Sequence, residues 1–336
     1  MNNQTKYIRF TKVILVFVFL VILAGSIVRA TQSGMGCPDW PTCFGNVIPP
    51  TQYSQVIFQP NHDYKKGQFI IYSDSLKYAA EKFTSGTEYN PANWRQYEKH
   101  NYAKFEVYQT WIEYCNRLCT GVLGFLLLAH VIWSFRNFYK TKKSIVWLSA
   151  SLILLVVFEA WLGKVVVDTN LGLSQISAHY LPALAMAAVP VIIITKLEGK
   201  IKVNQQALKW VTTLGLLATL AQIIIGTGVR AEIDNIAKLL NYQSRETWIN
   251  QLGSVFMLHQ ISGIVLAAIC VFIFWQATKH AVIQRLAIGL LAVILLSVAT
   301  GLIMANLHIP AVVQPLHLLL SSILFILLFA LRLRIV

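Results

Sequence analysis

Two stretches decide the fold when laid side by side: LGKVVVDTNLGLSQISAH (162–179) and TGLIMANLHIPAVVQPLH (300–317). In each, a glycine near the end of an apolar run is followed 16 residues later by a histidine that lies in the next apolar run: Gly163 to His179, Gly301 to His317. Working outward, LAGSIVRAT (23–31) matches IIGTGVRAE (224–232), and NRLCTG (116–121) matches HQISG (259–263), which aligns Asn116 with His259. Small-residue packing motifs do recur in apolar helices without any repeat. Three matches in the same order, one with equal spacing to a histidine, instead indicate two units of four helices in the same orientation.

Composition agrees. Of 336 residues, 56% are apolar and only 12% charged, too apolar a balance for a soluble globular domain. Runs of membrane-spanning length fall near 10–30, 108–133, 145–166, 175–195, 209–229, 252–276, 284–305 and 313–331. The expected fold class is an all-α polytopic membrane protein, its eight transmembrane helices arranged as two pseudo-symmetric four-helix bundles. Residues 1–200 form the first half and 201–336 the second. The halves differ in the connection between helices 1 and 2, an enlarged extracytoplasmic loop (31–107) that is charge-balanced and rich in Tyr, Phe and Trp. Such a composition predicts a folded cap rather than a disordered linker.

Basic residues set the orientation. Lys6, Arg9 and Lys12 precede helix 1; Arg136, Lys140, Lys142 and Lys143 follow helix 2; Lys196, Lys200, Lys202 and Lys209 follow helix 4. Lys279 and Arg285 follow helix 6, and Arg332 and Arg334 end the chain. That side holds a single acid, Glu198, and the remaining charges balance, so the whole net charge of +14 lies on one face. Both termini are then cytoplasmic, and the basic excess is a topology signal that requires no nucleic-acid partner. Helix 1 is too long for a signal-peptide core and reads as a retained anchor. The expected location is a bacterial inner membrane.

His62, His100, His280 and His308 fall in loops and are expected to be solvated, while His130 reads as a packing histidine. His179, His259 and His317 differ, because each lies shortly after the start of an even-numbered helix, roughly 6–12 Å below the same membrane boundary at about 1.5 Å per residue. Two imidazoles facing each other inside a four-helix bundle suit a heme with axial ligands on both sides. His259 and His317 are that pair; the matching positions of the first half hold Asn116 and His179. Arg29, Arg117 and Arg230 lie at the same boundary, where a charge within the span costs about 3 kcal/mol and calls for a partner. Either a heme propionate or ordinary snorkelling would satisfy them. Cys37 and Cys43, six apart in GMGCPDWPTCFG (34–45), are expected to pair in the oxidising outer compartment, in a structural or a redox role. Glu113 precedes Asn116 by one helical turn, where the second half has Phe256. It is read either as an acid beside an incompletely ligated iron or as an interfacial partner of Arg117.

At these residues the chain resembles the heme A synthase family. The resemblance rests on GSIVRATQSGMGCPDWPTC (25–43), EYCNR (113–117), SAHYLPA (177–183), HQISG (259–263) and QPLH (314–317). It implies an enzyme that oxidises a methyl group of heme O to a formyl, giving heme A for cytochrome oxidase. It implies a heme b ligated by His259 and His317 in the C-terminal half, and substrate heme held by His179 in the N-terminal half. Glu113 matches the acid essential to that half, and Cys37 and Cys43 match the outer-loop pair. Heme O synthase and cytochrome oxidase assembly are the implied partners, with membrane lipid around the spans and a homo-oligomer left open. Two departures are visible: the family has histidine where this chain has Asn116, and the outer loop exceeds that of compact bacterial members. A diheme membrane electron carrier and a heme transporter or chaperone are the competing readings.

Overall fold

The computed structural model describes residues 2–100, 103–168, 178–199 and 203–336. Among them, eight helices are long and apolar enough to cross a membrane: α1 (Asn3–Ala30), α2 (Val107–Phe138), α3 (Lys143–Asp168), α4 (Tyr180–Glu198), α5 (Gln206–Leu239), α6 (Ser254–Ala277), α7 (Ala281–Asn306) and α8 (Val313–Arg334). Many of their large apolar side chains face outward. Phe125, Trp147 and Ile264 are each more than 70% exposed, a surface that water would not tolerate and that lipid covers. The chain is therefore built as a multi-pass membrane protein.

The expected spans reappear with shifted ends. The largest difference is α5, which runs nine residues past Arg230. Arg230 pairs with Asp234 one turn on (2.8 Å), and Val229, Ile233 and Ala237 pack against Trp248 and Ile309, so the helix continues where apolar content alone places its end. Conversely, α4 begins only at Tyr180. The start expected for it near residue 175, and with it residues 169–177, lies outside the described residues.

Contacts divide the chain into two compact units. The first comprises Met1–Ser26, Leu123–Leu155 and Leu181–Val336. Within it α5, α6, α7 and α8 close a ring, each packed on two neighbours. Leu208, Leu266, Cys270, Ile273, Leu290, Ile294, Leu324 and Leu328 fill its centre. A smaller core joins α1 to α4 through Tyr7, Phe138, Ile145, Ile193 and Leu197. Beside it His130 is fully buried and satisfied by Thr11 Oγ1 (3.0 Å) and the Tyr7 hydroxyl (3.3 Å), with the Tyr7 hydroxyl also meeting Ser149 Oγ (2.7 Å). His130 is the packing histidine the sequence suggests, with every polar atom occupied.

The second unit, Ile27–Val122 and Val156–Tyr180, carries the segment between α1 and α2. That segment contains strands: β1 (Asp63–Tyr64) pairs with β4 (Phe83–Thr84), and β2 (Phe69–Tyr72), β3 (Ser75–Ala79) and β5 (Trp94–Gln96) form an antiparallel sheet in the order β2–β3–β5. Ser73 and Asp74, both at positive φ (50° and 54°), turn the β2–β3 hairpin, as its tight two-residue loop requires. Strand alternation feeds two cores. Phe69, Ile71 and Leu76 join Cys37, Cys43, Phe44 and Phe105, whereas Ile70 and Ala79 join Tyr64 and Trp94. Lys99 and Lys164 both pair with Asp168 at the end of α3 (3.0 and 2.6 Å).

Candidate functional site

In the first unit, His259 lies in the second turn of α6 and His317 in the second turn of α8. The α5–α8 ring brings them close, with ring centres 6.4 Å apart and planes inclined edge to face at 70°. Two imidazoles bonded at about 2 Å to one metal atom between them, each nitrogen about 1.2 Å from its ring centre, have centres about 6.4 Å apart. Among the described residues no three His, Cys, Asp or Glu side chains gather as a site for a bare ion.

Both rings are held from behind. The Gln222 side-chain amide lies 3.0 Å from His259 Nδ1 and is itself fixed by donating to the His259 carbonyl (2.8 Å) and accepting from Ser262 Oγ (2.6 Å). Thr300 Oγ1 lies 2.9 Å from His317 Nδ1. With Nδ1 occupied in each case, Nε2 is the nitrogen left for a ligand. Glycines give the rings room. A Cβ on Gly226 would stand 3.0 Å from His259 Cε1, and one on Gly301 would stand 3.5 Å from His317 Cε1. Arg230 is committed to Asp234 and hydrogen-bonds the Gln314 side chain, one turn before His317.

In the second unit, His179 stands just ahead of α4 rather than within it. Its Nδ1 meets Glu159 Oε2 at 2.6 Å, and a Cβ on Gly163 would lie 3.8 Å from its Cε1. The carboxylate anchors Nδ1 and again leaves Nε2 presented. Glu159 went unremarked in the sequence, although an acid in the apolar run of α3 carried the same signal as the intramembrane histidines.

The same unit holds the disulfide loop. Cys37 and Cys43 are bonded (S–S 2.03 Å) and almost fully buried. Glu113, 4% exposed, accepts the Cys37 N–H at Oε2 (2.9 Å) and the Arg117 guanidinium at Oε1 (2.5 Å). Arg117 also donates to the carbonyls of Asp39 and Thr42, both at 2.8 Å, and Thr110 Oγ1 donates to the Gly36 carbonyl (2.8 Å). Gly36 must be glycine, because a Cβ there would lie 2.5 Å from the Gln109 carbonyl oxygen. From the cap, the Tyr97 hydroxyl (3.2 Å) and His100 Nε2 (3.0 Å) both reach the Pro38 carbonyl. Burial, then the charges of Asp168 and Asp39, push the Tyr97 hydroxyl up to about 12, so it remains a donor. His100, expected in solvent, is buried against this loop. Asn116 sits half-buried on α2, one turn beyond Glu113, and Arg29 half-buried in the last turn of α1.

The model of a family of cytochrome oxidase assembly proteins, COX15-CtaA, matches residues 8–90 and 71–329. A heme A synthase of Shewanella oneidensis is 22% identical over an alignment of 341 residues that covers 89% of this chain and 87% of the relative. Heme A synthases of Alkalihalophilus pseudofirmus and Halalkalibacterium halodurans are each 24% identical, over 54% and 51% of this chain and 43% and 39% of their own lengths.

Proposed function

The chain belongs to the COX15-CtaA family of cytochrome oxidase assembly proteins, and from that premise we propose that it acts as a heme A synthase. It is an oxidoreductase that converts a methyl group of heme O to the formyl of heme A. The observation that carries this reading is the unequal furnishing of the histidines. His259 and His317 stand as a close pair, whereas His179 is backed by a carboxylate and the position aligned with His259 is Asn116. A diheme electron carrier calls for two equivalent, fully ligated sites, and a transporter or chaperone has no use for an orienting carboxylate on one histidine only.

In this reading His259 and His317 hold heme b, with Gln222 and Thr300 fixing their rings. When bound, heme b supplies a store for the electrons that methyl oxidation releases. His179 would hold the iron of the substrate heme through Nε2, and Asn116, an amide that binds iron poorly, would supply no second strong ligand. Arg29 is assigned to a substrate propionate. Arg230 is assigned to one of heme b, in exchange for its present partners. The three glycine–histidine contacts, at Gly163, Gly226 and Gly301, support reading residues 1–200 and 201–336 as two similar four-helix halves, with 31–107 as an enlarged outer cap. Both termini are assigned to the cytoplasm of a bacterial cell, and heme O synthase and cytochrome oxidase assembly are the partners in supply and delivery.

Glu113 takes one of two roles. As a proton acceptor, it would receive protons that leave the methyl group. As a clamp, it holds the disulfide loop. The second is favoured by a specific observation, since both oxygens are engaged, one by Cys37 N–H and one by Arg117.

The test is coexpression with heme O synthase, followed by extraction of bound pigments. A formyl-bearing heme that appears only when both proteins are present is the expected result. Unaltered heme O would leave the carrier or chaperone readings standing.

A further inference from the structure

Glu159 is an acid inside a membrane span, in contact with His179. It lies in the apolar run of α3 with a largely buried side chain, where an unpartnered acid is expensive. Its Oε2 contacts His179 Nδ1 at 2.6 Å, while its Oε1 is buried without a hydrogen-bond partner among the described residues. The same four-residue register recurs on α5, a helix that is not the repeat counterpart of α3. Glu159 lies four residues before Gly163, which backs His179, and Gln222 lies four residues before Gly226, which backs His259. Each of the two side chains meets Nδ1 of its histidine, at 2.6 and 3.0 Å. A carboxylate thus stands behind His179 where a neutral amide stands behind His259, and a neutral hydroxyl, that of Thr300, stands behind His317.

We propose that Glu159 is the positioning residue of the N-terminal half: it locks His179 with Nε2 presented and makes it a stronger electron donor than either histidine of the C-terminal half. The inference rests on the reading of His179 as the ligand of the substrate heme. The physical basis is second-shell hydrogen bonding. A carboxylate at Nδ1 makes a shorter, charge-assisted bond than an amide or hydroxyl does, and it raises the basicity of the opposite ring nitrogen. A more basic ligand stabilises the oxidised iron and so lowers its reduction potential, a lever distinct from ligand identity. The two halves would then hold their irons at different potentials with the same ligand type. The site that oxidises a substrate gains electron push on its iron, and the site that stores electrons remains easier to reduce.

The experiment uses the full chain loaded by coexpression with heme O synthase, with heme b as the internal reference. In Glu159→Gln the potential of the N-terminal-half heme should rise, and its iron–imidazole stretching frequency in resonance Raman should fall, with both heme b values unchanged. Glu159→Asp, which retains a carboxylate, should lie closer to the parent protein than Glu159→Gln does. A bound substrate heme with parental potential and stretch in Glu159→Gln would overturn the inference. Gln222→Glu provides an independent arm: the heme b potential should fall, and an unchanged value would overturn the register argument. His179→Ala separates premise from inference. Survival of the substrate-heme signal in that variant fails the ligand reading itself. Its loss, combined with an unmoved Glu159→Gln, fails only the role of Glu159.

Discussion

Gly226 shows how narrowly the histidine pair is set. A Cβ at this position would stand 3.0 Å from His259 Cε1, tighter than most packed side chains, so the imidazole must shift by a few tenths of an ångström. Gly226→Ala should leave the α5–α8 ring folded but broaden or diminish the low-spin heme b spectrum. A parental spectrum would show that the ring has slack. Glu113 is equally constrained. Glu113→Gln retains an acceptor for one neighbour and loses the charge facing Arg117. Breaking a buried ion pair by neutralising one partner costs about 3 kcal/mol or more. If Glu113 is a clamp, the variant should reduce the disulfide faster with added thiol and lose heme A output in parallel. If it is a proton acceptor, heme A output should fall while disulfide reactivity stays parental. Both roles leave the heme b spectrum intact.

The disulfide loop is an element held from two sides. From α2, Arg117 reaches the carbonyls of Asp39 and Thr42 and Thr110 reaches that of Gly36; from the cap, Tyr97 and His100 share the carbonyl of Pro38. Arg117→Ala removes two of these bonds along with the partner of Glu113. It should expose Cys37 and Cys43 to thiol reagents after mild reduction at least about tenfold faster than in the parent, a rate that alkylation and mass spectrometry measure. A rate equal to the parent's would mean that the cap alone holds the loop. Of this clamp only the Glu113–Arg117 pair was legible in the sequence. Arg117 and Glu113 share a helix face, and that spacing was visible. The backbone groups they restrain, carbonyls for Arg117 and the Cys37 N–H for Glu113, lie more than 70 residues away, in a loop with no periodicity. The cap strands were hidden for a related reason: runs of two to five residues are too short to show alternation against the turns around them. The spans, by contrast, were plain, because some 20 consecutive apolar residues admit few other readings. The end of α5 was not, because an i,i+4 ion pair and packing on Trp248 extend a helix past its apolar run.

For the molecule as a whole, the proposed division places heme b on His259 and His317 and the substrate heme on His179. The histidines were legible because an imidazole inside an apolar helix stands out. Glu159 carries the same signal, but its partner His179 lies 20 residues away, and the contact between them appears only in the fold. The most direct measurement is the electron paramagnetic resonance and reduced optical spectrum of protein purified without heme O synthase, so that only the resident heme is present. The account predicts a low-spin bis-imidazole signal that is lost in His259→Ala and in His317→Ala and retained in His179→Ala. A full low-spin signal in either of the first two variants, or its loss in the third, would contradict it.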